Sequence, residues 1–185
     1  MTTTLTLALL TILLLVQATG PGRAFKGKPQ TIPGTVEAED FDEGGEGVAY
    51  HDLDPENQEK HRPAYRDGGV DLERRAAATQ GYNLGWTRAG EWLLYTVDVA
   101  APGTYRLEML VASKGAGGTL HLEFDGVDRT GPITIPDTGG WQHLKLIEHD
   151  GVKLEKGRAV MKVVMRTDGA SGSVGDIDFF RFSRR

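Results

Sequence analysis

From residue 32 onward, apolar and polar residues alternate with a period of two. In Thr119-Leu120-His121-Leu122-Glu123-Phe124, the residues Leu120, Leu122 and Phe124 fall on one face and the polar residues on the other. Tyr105, Leu107 and Met109 alternate in the same way with Arg106 and Glu108. Successive side chains of a strand point to opposite sides, so this pattern predicts half-buried strands. The apolar stretches are short (TVEAE, WLLYTVDV, TYRLEMLVAS, TLHLEFDG, ITI, QHLKLI, AVMKVVM, IDFFRF), and Gly and Pro interrupt the chain between them, which leaves little room for long helices. Eight or more short strands with such punctuation predict an all-β fold, a two-sheet antiparallel β-sandwich of jelly-roll type. No repeat of fixed period is present, so one domain accounts for the strands.

Two segments depart from the alternation. Leu5 to Val16 is a predominantly apolar run of twelve, interrupted only by Thr6 and Thr11, short for a membrane span and suited to the hydrophobic region of a signal peptide. No Lys or Arg precedes it, while small residues follow at Ala18, Gly20, Gly22 and Ala24. The organisation read from this is a signal peptide over 1–24, a polar linker over 25–31 and one module over 32–184; an uncleaved anchor is the competing reading. The second segment, His51 to Ala78, is polar, charged and weakly periodic. It reads either as a solvated excursion carrying short edge strands or as a functional loop.

Composition narrows the partners. With 185 residues, 39% of them apolar, and a formal charge of −5, the chain can build one ordinary core. Its 21 Lys and Arg are dispersed, which argues against nucleic acid, and once a signal is removed nothing calls for a membrane. The chain has no cysteine, so stability rests on packing and on any bound metal. The GxSxG, HExxH, CxxC and GxGxxG motifs are absent. A pair of carboxylates for glycoside hydrolysis could be picked from 26 acidic residues, but abundance does not locate one.

Candidate chemistry lies in the carboxylates and tryptophans. Glu37 and Glu39 stand two apart in TIPGTVEAEDFDEGGEGVAYHD, a spacing that on an extended strand turns both carboxylates to one face, where they could hold a hard cation. Trp86 and Trp141 sit beside glycines, in GYNLGWTRAGEW and PDTGGWQ, and Trp92 lies inside a strong strand. Flat aromatic rings with a few polar groups suit the C–H faces and hydroxyl edges of sugars. A zinc site using His51, His61, or His121 with Glu123 lacks clustered ligand spacing.

The runs GYNLGWTRAGEWLLYTVDVAAPGTY (81–105), PDTGGWQHL (136–144) and GDIDFFRF (175–182) resemble, in order and spacing, the family 6 carbohydrate-binding modules. The resemblance implies that Trp86 and Trp141 sandwich a sugar at one rim and that Trp92 occupies the position of a second site on the concave sheet face. It also implies that Glu37, Glu39 and Asp178 hold a structural calcium, with loop carbonyls completing the shell. Asp176 stands where the family commonly has asparagine; a carboxylate accepts hydrogen bonds without donating, which favours a neutral ligand over a uronic acid. The expectation is a secreted, non-catalytic module that binds neutral polysaccharide or oligosaccharide, alone or beside a glycoside hydrolase. A stand-alone lectin-like adhesion protein is the first alternative and a glycoside hydrolase the second.

Overall fold

A computed structural model of the protein describes residues 22–59 and 65–185. The predicted signal segment lies outside the described residues over 1–21. In chain order the strands are β1 (Gln30–Ile32), β2 (Gly34–Glu37), β3 (Tyr50–His51), β4 (Leu72–Arg74), β5 (Tyr82–Leu84), β6 (Trp92–Val99) and β7 (Gly103–Ala112). They continue with β8 (Thr119–Phe124), β9 (Val127–Asp128), β10 (Ile133–Thr134), β11 (Lys145–Leu154), β12 (Gly157–Thr167) and β13 (Asp176–Arg184). One sheet runs β1-β6-β12-β8-β10, with β3 also on β6 and β9 on β8; the other runs β11-β7-β13-β5-β4, with β2 on β13. All these pairings are antiparallel except β1 with β6. The sandwich predicted from the alternation is therefore the fold.

The predicted linker 25–31 is shorter than expected, because Gln30 and Thr31 already belong to β1 and pair with Val97 and Asp98. A three-residue strand with one buried position, Ile32, carries too little alternation to be read from sequence. Among the described residues no helix is long and apolar enough to cross a membrane.

The core lies between the sheets. Leu93, Tyr95 and Val97 of β6, Met161, Val163 and Met165 of β12 and Leu120, Leu122 and Phe124 of β8 are buried together with Tyr105, Leu107, Met109 and Val111 of β7. Edge-on aromatic pairs tie the layers: Phe124 with Phe182 at 6.0 Å and Tyr95 with Phe180 at 5.9 Å between ring centroids. Each such side chain contributes about 1.5–3 kcal/mol when fully buried. Gly118 is needed for close approach, since a Cβ there would run into the Thr167 carbonyl.

Two local irregularities bring carboxylates together near the rim. Against β7, the register of β13 steps from Ile177↔Val111 to Phe179↔Leu110, so Asp178 is the extra residue of a bulge. The bulge switches which parity faces the core, from Ile177 before it to Phe180 and Phe182 after it, and re-aims the Asp178 side chain. At the end of β2 the chain enters a short 3-10 turn, Ala38–Asp40. The Ala38 carbonyl accepts a buried hydrogen bond of 2.8 Å from the Tyr95 hydroxyl, which fixes this turn to the sheet opposite. Tyr95→Phe should lower stability by about 1 kcal/mol in urea unfolding, through the unpaired carbonyl, with packing otherwise kept.

Candidate functional site

Four connections meet at one rim of the sandwich and enclose a cleft of about 460 Å³. The segment after β3 supplies Asp54 and Gln58, strand β4 supplies Glu73, and the β5–β6 loop supplies Trp86 and Arg88. Trp141 and Gln142 come from the β10–β11 loop; Ser171, Gly172 and Ser173 precede β13, whose first residue is Asp176. Trp86, Trp141 and Asp176, far apart in sequence, thus come together. Trp92 does not join them.

Trp86 is held in an unusual backbone conformation. Its φ is +49°, in the left-handed region that a bulky residue rarely adopts, and the residue is 45% exposed. Its neighbours over-determine that shape. Gly85 donates its N–H to the Asp71 carbonyl at 2.9 Å. The Thr87 hydroxyl donates to the Gly175 carbonyl at 2.6 Å, and the Thr87 carbonyl accepts from Val174 N–H and the Ser173 hydroxyl. An exposed ring kept at the cost of backbone strain faces the cleft, not the core.

The Trp141 loop is braced differently. Asp137 accepts from the N–H groups of Gly139 and Gly115, and the Thr138 hydroxyl both accepts from Ser113 N–H and donates to the Ser113 carbonyl. Gly139 and Gly140 have φ of +88° and +141°, which lets the chain turn and present the half-buried Trp141.

The polar side of the cleft centres on Arg75. One of its terminal nitrogens bonds Asp176 Oδ2 at 2.7 Å and Glu73 Oε2 at 2.6 Å, while its Nε and other terminal nitrogen are buried without hydrogen-bond partners among the described residues. Asp176 is buried, and desolvation pushes its carboxyl up to about 7 in spite of Arg75. Of the two acceptor oxygens expected of Asp176 from sequence, one is committed to Arg75. Arg88 is held by Asp54 at 2.8 Å and lies 3.8 Å from Glu91. Sequence reasoning missed Asp54, Gln58, Glu73 and Arg75, which lie in the weakly periodic segment 51–78 that reads equally as solvated surface and as functional loop, and Arg88, two residues after Trp86.

Trp92 lies elsewhere, on the outward side of β6. The Lys162 ammonium sits 4.6 Å from its ring centroid and the His51 ring 6.4 Å away, so the ring is half covered by its own sheet. His51, for its part, pairs with Glu46, and His121 with Glu123.

A second cluster lies behind the rim. Carboxylate oxygens of Glu37, Glu39 and Asp178 come within 4.8 Å of one another, and all three residues are buried. Strand pleating is not what joins the first two. Glu37 ends β2, Glu39 lies in the 3-10 turn, and the β13 bulge brings Asp178 to them. Asp178 accepts from the Thr79 N–H and hydroxyl, but Glu37 Oε2 and both Glu39 oxygens have no partner among the described residues. Burial first, and repulsion by neighbouring carboxylates after it, push Glu37 up to about 7 and Glu39 up to about 8, while burial alone raises Asp178 against the hydrogen bonds from Thr79. Buried acceptors without donors are costly unless a cation balances them.

Comparison with known proteins decides the family. Residues 64–184 match the model of the carbohydrate binding module (family 6). The chain belongs to that family. Among solved structures, the family 6 module from the Cellvibrio mixtus lichenase 5A, determined in complex with cellotriose, is 27% identical. That similarity covers 82% of this chain and 96% of the module, with a TM-score of 0.59. Two curated relatives are the clotting factor G alpha subunit of Tachypleus tridentatus, 38% identical over 82 residues, and the beta-agarase AgaA of Microbulbifer thermotolerans, 35% identical over 63 residues. These matches span 43% and 34% of the family 6 chain but only 12% and 14% of the relatives' own lengths.

Proposed function

We propose that the protein is a secreted, non-catalytic module that binds a neutral polysaccharide or oligosaccharide at the rim cleft. The observation that carries this reading is the meeting of Trp86 and Trp141 in one cleft with carboxylates on its wall. The rings would cover the apolar faces of a sugar, and Asp176 and Glu73 would accept hydrogen bonds from its hydroxyls. Carboxylates there disfavour uronic acids through repulsion. Affinity electrophoresis in gels containing individual soluble polysaccharides tests the reading: migration should be retarded by at least one neutral glycan, and by none if the cleft is not a sugar site.

The polar geometry speaks against catalysis. Glu73 and Asp176 are pinned to the same nitrogen of Arg75 and so stand side by side, and Asp54, the third lining carboxylate, is paired with Arg88, whereas glycoside hydrolysis needs an available pair flanking the scissile bond. Purified protein should release no reducing ends from the glycan that retards it. Release that disappears in Glu73→Gln would overturn this.

Calcium fits the Glu37, Glu39 and Asp178 cluster. All the donors are hard oxygens, three of them buried with no other partner among the described residues, and calcium tolerates an irregular oxygen shell better than magnesium does. Bound there, the ion would tie the turn after β2 to the bulge in β13; it has no part in sugar contact. Secretion rests on the apolar run Leu5–Val16, and a glycoside hydrolase as partner on the lichenase origin of the Cellvibrio module.

A further inference from the structure

Negative charge predominates among the ionisable groups of the cleft, whose neutral polar lining is Gln58, Gln142, Ser171 and Ser173. Asp54, Glu73 and Asp176 line it, against Arg88 as the only lining cation among the described residues. Arg88 is already engaged by Asp54 and by Glu91, whose carboxylate also takes the N–H of Arg88. The buried Asp71 lies behind the same wall, with Asp52 and Asp54 close enough to repel it. Arg75, a second nearby cation, is 5% exposed and directs one nitrogen at both Glu73 and Asp176. This clamp uses Oε2 of Glu73 and Oδ2 of Asp176. It leaves Oε1 and Oδ1 of two adjacent, cleft-lining side chains without a hydrogen bond from any described residue.

Two carboxylate oxygens side by side, acceptor-only once Asp176 is ionised, lie in a negative field beside aromatic platforms; they complement a group that carries several N–H donors and a positive charge, and such a cation itself favours the ionised form of Asp176. A hydroxyl offers one donor and no charge. A protonated primary amine on a sugar ring offers three donors, and its C–H faces still stack on Trp86 and Trp141. Resting on the reading of this cleft as the sugar site, we infer that its preferred ligands are amine-bearing sugars, 2-amino-2-deoxyhexoses and their polymers, over their neutral and acidic counterparts. Arg75 is the positioning residue: by holding the far oxygen of each carboxylate it turns the near oxygens to the ligand.

The test is a titration of the intact protein, followed by the indole N–H NMR signals of its tryptophans, with glucosamine, glucose, N-acetylglucosamine and glucuronate. Single sugars remove linkage as a variable, and N-acetylation keeps the ring while removing the charge. Glucosamine should bind about tenfold more tightly than glucose at low salt, the size expected for a hydrogen bond to a charged group. N-acetylglucosamine should lose that advantage and glucuronate should bind weakest. The ratio of glucosamine to glucose affinity should fall toward unity near 1 M salt, where the screening length is about 3 Å. It should fall likewise in Glu73→Gln, and in Arg75→Met if that variant folds. If glucose and glucosamine bind equally, or their ratio ignores both salt and Glu73→Gln, the inference is wrong while the sugar cleft stands. If no sugar moves the indole signals of Trp86 or Trp141, the cleft is not the sugar site and the inference falls with it.

Discussion

Chelation should lower the melting temperature of the protein by about 5–10 °C, and added calcium should restore it. An ion that binds only the folded state stabilises it by mass action, about 2.7 kcal/mol at one hundred times its dissociation constant. For a domain of this size each kcal/mol moves the midpoint by roughly 2–4 °C. The ligands proposed are Glu37, Glu39 and Asp178, of which Glu39 is fully buried with both oxygens unpaired among the described residues. Glu39→Gln separates this from an ordinary packing defect. The variant should melt below calcium-loaded wild type, yet no lower than chelated wild type, because it spares the fold one buried carboxylate that repels two others. Differential scanning calorimetry with and without chelator reads both comparisons. A wild-type midpoint indifferent to chelator and to calcium would remove the metal from the account.

Loss of either rim tryptophan should cost about 1–3 kcal/mol of binding, roughly five- to 150-fold in affinity, because stacking on the sugar face is the main apolar contact available. Stability should respond in the opposite sense at one of the two positions. Trp86 holds φ at +49° with 45% of its surface exposed, so it contributes little to the core and strains the backbone. Glycine adopts that conformation freely, and Trp86→Gly should leave unfolding unchanged or raise the midpoint while binding is lost. Trp86→Ala removes the ring but keeps the strain, so it should be the less stable of the two. A ring placed for packing would give the reverse: destabilisation by glycine at least as large as by alanine. Urea unfolding of the three proteins distinguishes them.

The sandwich was legible because β7 and β8 each bury one face and wet the other, which writes a period of two into the chain. β1 was not, since three residues carry no measurable period, and β4 was anticipated only as a short edge strand somewhere within 51–78. The site divides along similar lines. Trp86, Trp141 and Asp176 stood out through glycine context and motif, but the left-handed backbone at Trp86 runs against its side chain and has no local sequence signal. Glu37 and Glu39 were paired for the wrong physical reason: their spacing suggested a shared strand face, whereas a 3-10 turn joins them and a bulge supplies Asp178. Arg75 was invisible because what defines it is non-local. Its partner Asp176 lies 101 residues away, and an arginine in a polar stretch reads as solvated until the fold buries it.

In the proposed function Trp86 and Trp141 bind sugar together at the rim, and Trp92, under Lys162 on the outward side of β6, takes no part. The most direct measurement is a glycan array probed with wild type, Trp92→Ala and the Trp86→Ala/Trp141→Ala double variant, each first shown to be folded by its unfolding midpoint. Wild type and Trp92→Ala should give the same set of bound glycans, and the double variant should bind none of them. Retention of that set by the double variant, with loss in Trp92→Ala, would instead place the sugar site on the sheet face.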